Sequence, residues 1–346
     1  MHAALKRSVL SLLALAAGSS SSMVMGQDFS VVVKDVLANS QATTLAVPGA
    51  DPNWLFLRRE LEHLDIGDLS TVNLAVVNKE KTDPLPVIAK YAADLKALGV
   101  DLLLVPVPPK AAVYPQKLNA GVDVATVPSL VPFYGKLQAA GVEVLDLETL
   151  FKAQLAENPD KQLYCATDSH WSPYAAQLVA DVVAKKYQAL TMPNPSFGVL
   201  PEEKLEFLGD LVASGAAAGV AKEGLPMQRA GKVDPAKPGQ VGTVDSDPRG
   251  PIVGIGDSHL QVFRRGGNML ATQAGFIDHL QEKLKLSVEE FSMQAGGADG
   301  PRRNLARATA ANPEFWANKK VVIWVFTARE FTQGRWKELP VQVKKK

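Results

Sequence analysis

The sequence predicts an α/β domain of three layers, with helices on both faces of a mostly parallel sheet and with surface insertions. Two observations carry this expectation. The first is a helix-to-strand unit, "PVIAKYAADLKALGVDLLLVPV" (86–107). Its apolar residues Val87, Ile88, Tyr91, Ala92, Leu95 and Leu98 recur at helical spacing, Gly99 ends the pattern, and an unbroken apolar run follows from Asp101 to Val107. A strand apolar on both faces belongs inside a sheet covered on both sides. The second is the return of the same pattern in "SLVPFYGKLQAAGVEVLDL" (129–147), where "AAGVEVLDL" echoes "ALGVDLLLV". Two successive units of this kind imply parallel pairing.

Further elements extend the series. Apolar strands are expected at 251–255 ("PIVGI") and 320–326 ("KVVIWVF"), and helices at 173–187, 272–284 and 301–311. Ser172 and Pro173 form a good N-cap and first helical residue for the first of these helices. The stretch 214–250 breaks the rhythm, because Gly, Pro, Ala and Lys dominate it without apolar periodicity; a loop insertion is expected there. Between Gln27 and Thr82 only "NWLFLRRELEHL" (53–64) reads as amphipathic.

The chain has 346 residues, 47% of them hydrophobic and 21% charged, enough to bury one large core or two modest ones. A net charge of +1 excludes polyanion binding through bulk charge, so nucleic acid is not an expected partner. Cys165 is the sole cysteine, which rules out an intramolecular disulfide, and its apolar neighbours point to a packed side chain. At the N-terminus, Lys6 and Arg7 precede the short apolar run "SVLSLLALAAG" (8–18), with small residues before Gln27. This is the pattern of an export signal over 1–26, leaving a single domain over 27–346 in the periplasm or secreted. Retention of the apolar run would instead leave the protein membrane-associated. The basic end "VQVKKK" (341–346) reads as a solvated tail.

The chemistry concentrates in two copies of Asp-Ser-His. In "PIVGIGDSHLQVF" the strand ends at Gly256, and Ser258 sits where the chain turns toward a helix, at the sheet edge where open α/β folds bind ligands. Helix-start amides beside a serine suit acyl chemistry, which makes Ser258 a candidate nucleophile. Asp257 and Ser258 fit helix capping equally well. In "LYCATDSHWSP" an extended backbone places Asp168 and His170 on one side and Ser169 on the other. An Asp that orients an imidazole creates a general base. Trp171 then either packs under this loop or stacks on a sugar.

Asp168, His170, Asp257 and His259 also form two Asp-x-His pairs that could ligate a metal. No HExxH or further His cluster supports that, and neither metal nor cofactor is expected. His259 reads as a residue of the helix start.

The paired motifs "DSHWSPYAA" and "GDSH" resemble the alginate O-acetyltransferase AlgX/AlgJ family, an SGNH-hydrolase-like group in which an Asp-x-His-Trp motif precedes a Gly-x-Ser motif. "WLFLRRELEHL", "VPVPPKAAVYP" (105–115) and "VVIWVFTAREF" extend the likeness to roughly residues 50–335. His259 departs from the aromatic or other polar residue expected after the serine. The resemblance implies Ser258 as nucleophile, His170 as base and Asp168 as its orienter, in a transferase that moves acetyl groups to an exopolysaccharide. A polysaccharide acceptor and an acetyl donor supplied through a membrane-bound O-acyltransferase are the implied partners. A secreted carbohydrate esterase with the same triad and a non-catalytic polysaccharide-binding protein are the alternatives. Trp171 and Arg329 are expected in the wall of an acceptor groove, and Lys110 and Tyr114 line the site or anchor their loop. Gly296 and Gly297 of "AGGADG" (295–300) form either a plain turn or a pair of backbone donors to an oxyanion.

Overall fold

The computed structural model describes residues 26–191, 196–213, 219–312 and 314–341. The proposed signal segment up to residue 25 and the lysine tail beyond 341 lie outside them. Five parallel strands form the central sheet, in the order Glu289–Ser292, Ile252–Gly256, Val321–Thr327, Asp101–Val107, Glu143–Val144. The two long strands are registered throughout, from Val321 opposite Asp101 to Thr327 opposite Val107.

Alternation along these strands divides the core between two faces. Leu103, Val105, Ile323 and Val325 pack toward the helices Pro173–Lys186 and Phe276–Leu284. Leu102, Leu104, Val322 and Trp324 pack toward Pro84–Lys96, Val131–Ala139 and Asp299–Ala311. The expected three-layer α/β architecture is therefore present. Gly99 and Gly141, at equivalent points of the two repeated units, have φ of 75° and 82°. Only a glycine adopts this turn without strain, which is why "LGVD" and "AGVE" echo each other.

Three segments differ from the sequence expectation. "NWLFLRRELEHL" is a strand, Leu55–Leu57, followed at once by the helix Arg58–Leu64. The second repeated unit ends in a strand of only two residues, Glu143–Val144. Within 214–250, expected as loop, Glu223–Met227 pairs with Glu203–Phe207, and Ala230–Val233 lies between Phe197–Val199 and Val241–Gly242. These strands are short and hold Gly and Pro, so each buries too few side chains to leave a periodic trace. No described helix is long and apolar enough to cross a membrane.

Candidate active site

Two loops at the C-terminal edge of the sheet build the site. The first, 163–172, is closed at its base by an antiparallel bridge between Tyr164 and Trp171 and by the Ser172 amide donating to the Leu163 carbonyl at 2.9 Å. Asp168, Ser169 and His170 occupy its tip. Ser172 caps the following helix by accepting from the Ala175 amide, so the helix start fixes one arm of the loop. The second loop leaves the 252–256 strand through Asp257 into one 3₁₀ turn, Ser258–Leu260, rather than directly into a helix. That single turn offers no helix dipole to an anion. Of the Asp-Ser pair only Asp257 caps, accepting from the His259 amide at 2.9 Å on this turn, and the Ser258 side chain faces the other loop.

They meet in a continuous relay. The Ser258 hydroxyl lies 2.7 Å from Nε2 of His170, and Nδ1 of His170 lies 2.6 Å from Oδ1 of Asp168. Asp168 also accepts from the His170 amide at 3.0 Å and, through Oδ2, from the Asp210 amide at 2.9 Å. Burial alone would raise the Asp168 carboxyl, but the adjacent His170, with the donated hydrogen bonds, outweighs it and holds the carboxyl below its ordinary range. Burial likewise disfavours the charged His170 ring; the Asp168 carboxylate, with Asp210 and Asp257 beyond it, raises it above the ordinary value of 6.5. Ser169 points away from this pair, and its hydroxyl and amide both bind the Asp210 carboxylate, at 2.6 and 2.7 Å.

The supporting residues include several that sequence reasoning missed. Asp210 is one. Glu223 is another, its carboxylate accepting from the amides of Ala166 and Thr167 at 2.8 Å each and from the Thr167 hydroxyl. Gly209 passes so close beneath the loop that a Cβ there would lie 2.4 Å from the Cβ of Asp168. All three come from the segment that carries the short antiparallel strands, so this part of the chain braces the His170 loop. Asp168, His170 and Asp210 place one ligand-type atom each within 4.8 Å of one another, but Ser258, Ser169 and neighbouring amides already engage these groups.

The remaining sequence candidates separate cleanly. Trp171 is 0% exposed and packs against His259 and Phe276, so it holds the loop from beneath and forms no groove wall. Lys110 is also fully buried; its ammonium donates to the carbonyls of Leu55, Ala166 and Asp168 at 2.7, 3.3 and 2.7 Å, and burial pushes the amine down. It anchors the loop rather than touching a ligand. Tyr114 does the same, its hydroxyl accepting from the Leu163 amide at 2.9 Å. Arg329 alone of the four faces the cleft, 3.7 Å from the Glu60 carboxylate and 3.1 Å from the Thr327 hydroxyl.

That cleft, about 470 Å³, opens over Ser258. Four guanidinium groups line it, from Arg59, Arg303, Arg329 and Arg335, together with Glu80, Asp299, Glu330 and the exposed side chain of Met293. Gly296 and Gly297 also line it. Ala295 and Gly297 both have φ of 55°, and the next amide, that of Ala298, donates to Glu330 at 3.1 Å. The "AGGADG" stretch is thus a tight turn in the lining of the same cleft as Ser258.

A serine, an imidazole and a carboxylate in line at the carboxyl edge of a parallel α/β sheet have the geometry of a Ser-His-Asp triad, an arrangement that several α/β folds share. The sequence model of the SGNH hydrolase-like domain of acetyltransferase AlgX matches residues 47–328. The chain belongs to this family. It is 28% identical over 195 residues to the probable alginate O-acetylase AlgJ of Pseudomonas aeruginosa, covering 54% of this chain and 46% of that protein. It is 24% identical over 249 residues to the alginate biosynthesis protein AlgX of Pseudomonas fluorescens, covering 67% and 47%. The chain therefore spans about half the length of these curated relatives. In fold it is similar to the O-acetyltransferase domain of Pseudomonas putida AlgJ, with a TM-score of 0.58 at 21% identity over 86% of this chain and 93% of that one. The Pseudomonas aeruginosa AlgX structure gives 0.55 at 20% identity, over 86% and 67%.

Proposed function

We propose that this protein is an exported polysaccharide O-acetyltransferase that works through an acetyl-serine intermediate. The observation that carries the reading is the unbroken Ser258–His170–Asp168 relay opening onto a cleft lined by four arginines. His170 accepts the Ser258 proton through Nε2 while Oγ attacks the acetyl carbonyl of the donor. The tetrahedral intermediate then expels the donor's leaving group, which takes that proton, and the acetyl ester remains on Ser258. In the second half, His170 takes the proton of an acceptor hydroxyl, the acceptor oxygen attacks the ester, and Ser258 leaves with the proton returned. Asp168 holds the imidazole in the tautomer with its proton on Nδ1 and stabilises the imidazolium formed at each step.

The main chain at Gly296 and Gly297 is the proposed source of hydrogen bonds to the oxyanion, since it lines the same cleft as Ser258. Arg329, with Arg335 and Arg303 on the exposed rim, is assigned to an acidic polymer acceptor, because guanidinium groups pair with carboxylates in a fixed geometry. The names of the relatives, alginate O-acetylase and alginate biosynthesis protein, agree with an acceptor of this chemistry. Export follows from the signal reading of residues 1–26, and a membrane-bound O-acyltransferase is the proposed source of the acetyl group.

The test is intact-mass spectrometry after incubation with an activated acetyl ester, followed by peptide mapping. A single acetyl group on Ser258, absent from Ser258→Ala, supports the reading. No adduct, or one on a different residue, refutes it.

A further inference from the structure

Asp257 and His259 flank the nucleophile and form a second carboxylate–imidazole pair. Nδ1 of His259 lies 3.0 Å from Oδ1 of Asp257, and the same oxygen accepts the His259 amide at 2.9 Å. The other oxygen, Oδ2, accepts the Thr327 amide at 2.9 Å, which ties the turn to the end of the neighbouring strand. Both residues are buried, at 3% exposure each, whereas Ser258 between them is half-buried. The ring of His259 meets the ring of His170 edge-on, with centroids 4.9 Å apart and an interplanar angle of 61°. On another side it meets Trp171 at 5.3 Å and 90°. His259 is therefore in contact with the base, with the residue under the base, and with the carboxylate that precedes the nucleophile. Capping the turn needs only the Asp257 side chain and the His259 amide, so it leaves the imidazole unexplained.

We propose that Asp257 and His259 act as a positioning pair, which locks the Ser258 turn to the 321–327 strand and the His170 ring at once, so that Oγ and Nε2 stay in line for proton transfer. This rests on the acetyl-serine mechanism above. Neither residue moves a proton in the reaction; His259 acts through the ring it touches. A small displacement of Oγ from Nε2 costs rate steeply, since proton transfer and attack must occur in one alignment. Asp257 also adds negative charge near His170, together with Asp168 and Asp210. Glu60, paired with Arg329, is buried near His259 on the adjoining helix.

The experiment uses the full chain and two substitutions that divide the role of His259. His259→Phe keeps an aromatic ring against His170 and loses the bond to Asp257; His259→Asn keeps a donor for Asp257 and loses the ring. The acylation rate constant, apparent KM for an activated acetyl ester and pH profile are measured, with the downfield proton resonance of the His170–Asp168 bond and the melting temperature. The expected result is a fall of about ten- to a hundredfold in the acylation constant of both variants, with KM little changed. In His259→Asn, the downfield resonance should also broaden, because the His170 ring is no longer braced. Asp257→Asn should slow acylation and move the acid limb of the pH profile downward, a shift that a purely structural role would not produce. Wild-type acylation constants and pH profiles in folded His259 variants would overturn the proposal, as would a loss of rate that only tracks a loss of folded protein. A wild-type chain that forms no acetyl-enzyme would instead refute the mechanism on which the proposal rests.

Discussion

The Oγ atom of Ser258 and the Nε2 atom of His170 stand 2.7 Å apart, although 88 residues separate them in the chain. Ser258 leaves a central strand of the sheet, and His170 sits at the tip of a loop braced by Lys110, Glu223 and Asp210. The alignment thus depends on contacts from three distant parts of the chain, and each can be tested.

Removing the nucleophile and removing its namesake should have unequal effects. Ser258→Ala eliminates acetyl-enzyme formation. Ser169→Ala keeps most of it, because that hydroxyl faces Asp210 rather than the relay. Rates of release from an activated ester, measured on folded protein, check the contrast; equal losses would contradict the assignment.

The pH dependence follows from the Asp168–His170 pair. The reaction needs neutral His170, whose affinity for its proton is raised above the ordinary 6.5, so acylation climbs with an acid limb displaced to higher pH. Asp168→Asn should move that limb down while lowering the rate by roughly 10⁴-fold, since the tautomer is no longer held. The sign for stability is the reverse. A raised His170 contributes stability that is fully present below 6.5 and is lost as pH rises through the folded-state value; a lowered Asp168 contributes above 3.8 and loses it in acid. Denaturation between about pH 6.5 and 9 should therefore show wild type losing an advantage over His170→Gln.

Lys110→Met should destabilise the protein by about 2–4 kcal/mol, because the carbonyls of Leu55, Ala166 and Asp168 lose a shared buried donor. Activity and melting temperature should fall together. A variant with wild-type stability but no activity would mean that Lys110 acts on the substrate.

Rim and floor should separate kinetically. Arg335→Ala removes an exposed cleft cation and should slow transfer to an acidic oligosaccharide, by about three- to tenfold, more than it slows hydrolysis of a small ester. Added salt should weaken the same acceptor step. Trp171→Phe, which alters the buried support of the loop, should lower both reactions in parallel.

How much of this was legible in the sequence depended on the range of the interactions. The strands Asp101–Val107 and Val321–Thr327 are buried on both faces and so appear as unbroken apolar runs. The two Asp-Ser-His copies pointed to the pairing of Asp168 with His170 and to Ser169 facing away, although the loop reaches that arrangement through a bend in which Asp168 accepts the His170 amide rather than through the extended backbone expected. Glu223 and Asp210 were not legible. Each is a single carboxylate in a segment without periodicity, and its meaning comes only from the amides and hydroxyls it accepts from more than forty positions away. Trp171 was ambiguous for a related reason: an indole beside a base suits a sugar or a core, and the packing of Phe276 and His259 around it decides for the core. His259 looked like a bystander of the turn, since its contact with His170 exists only once both loops have met.

The central claim is that an acetyl group resides on Ser258 and passes to a carbohydrate hydroxyl. The most direct measurement follows the fate of that acetyl group: isolated acetyl-enzyme is mixed with an acidic oligosaccharide, and acetylated sugar and free acetate are quantified over time. The account predicts that loss of the serine ester is faster with acceptor present and that acetylated oligosaccharide is the main product. Release as acetate alone at saturating acceptor, at a rate that the sugar does not change, would contradict it.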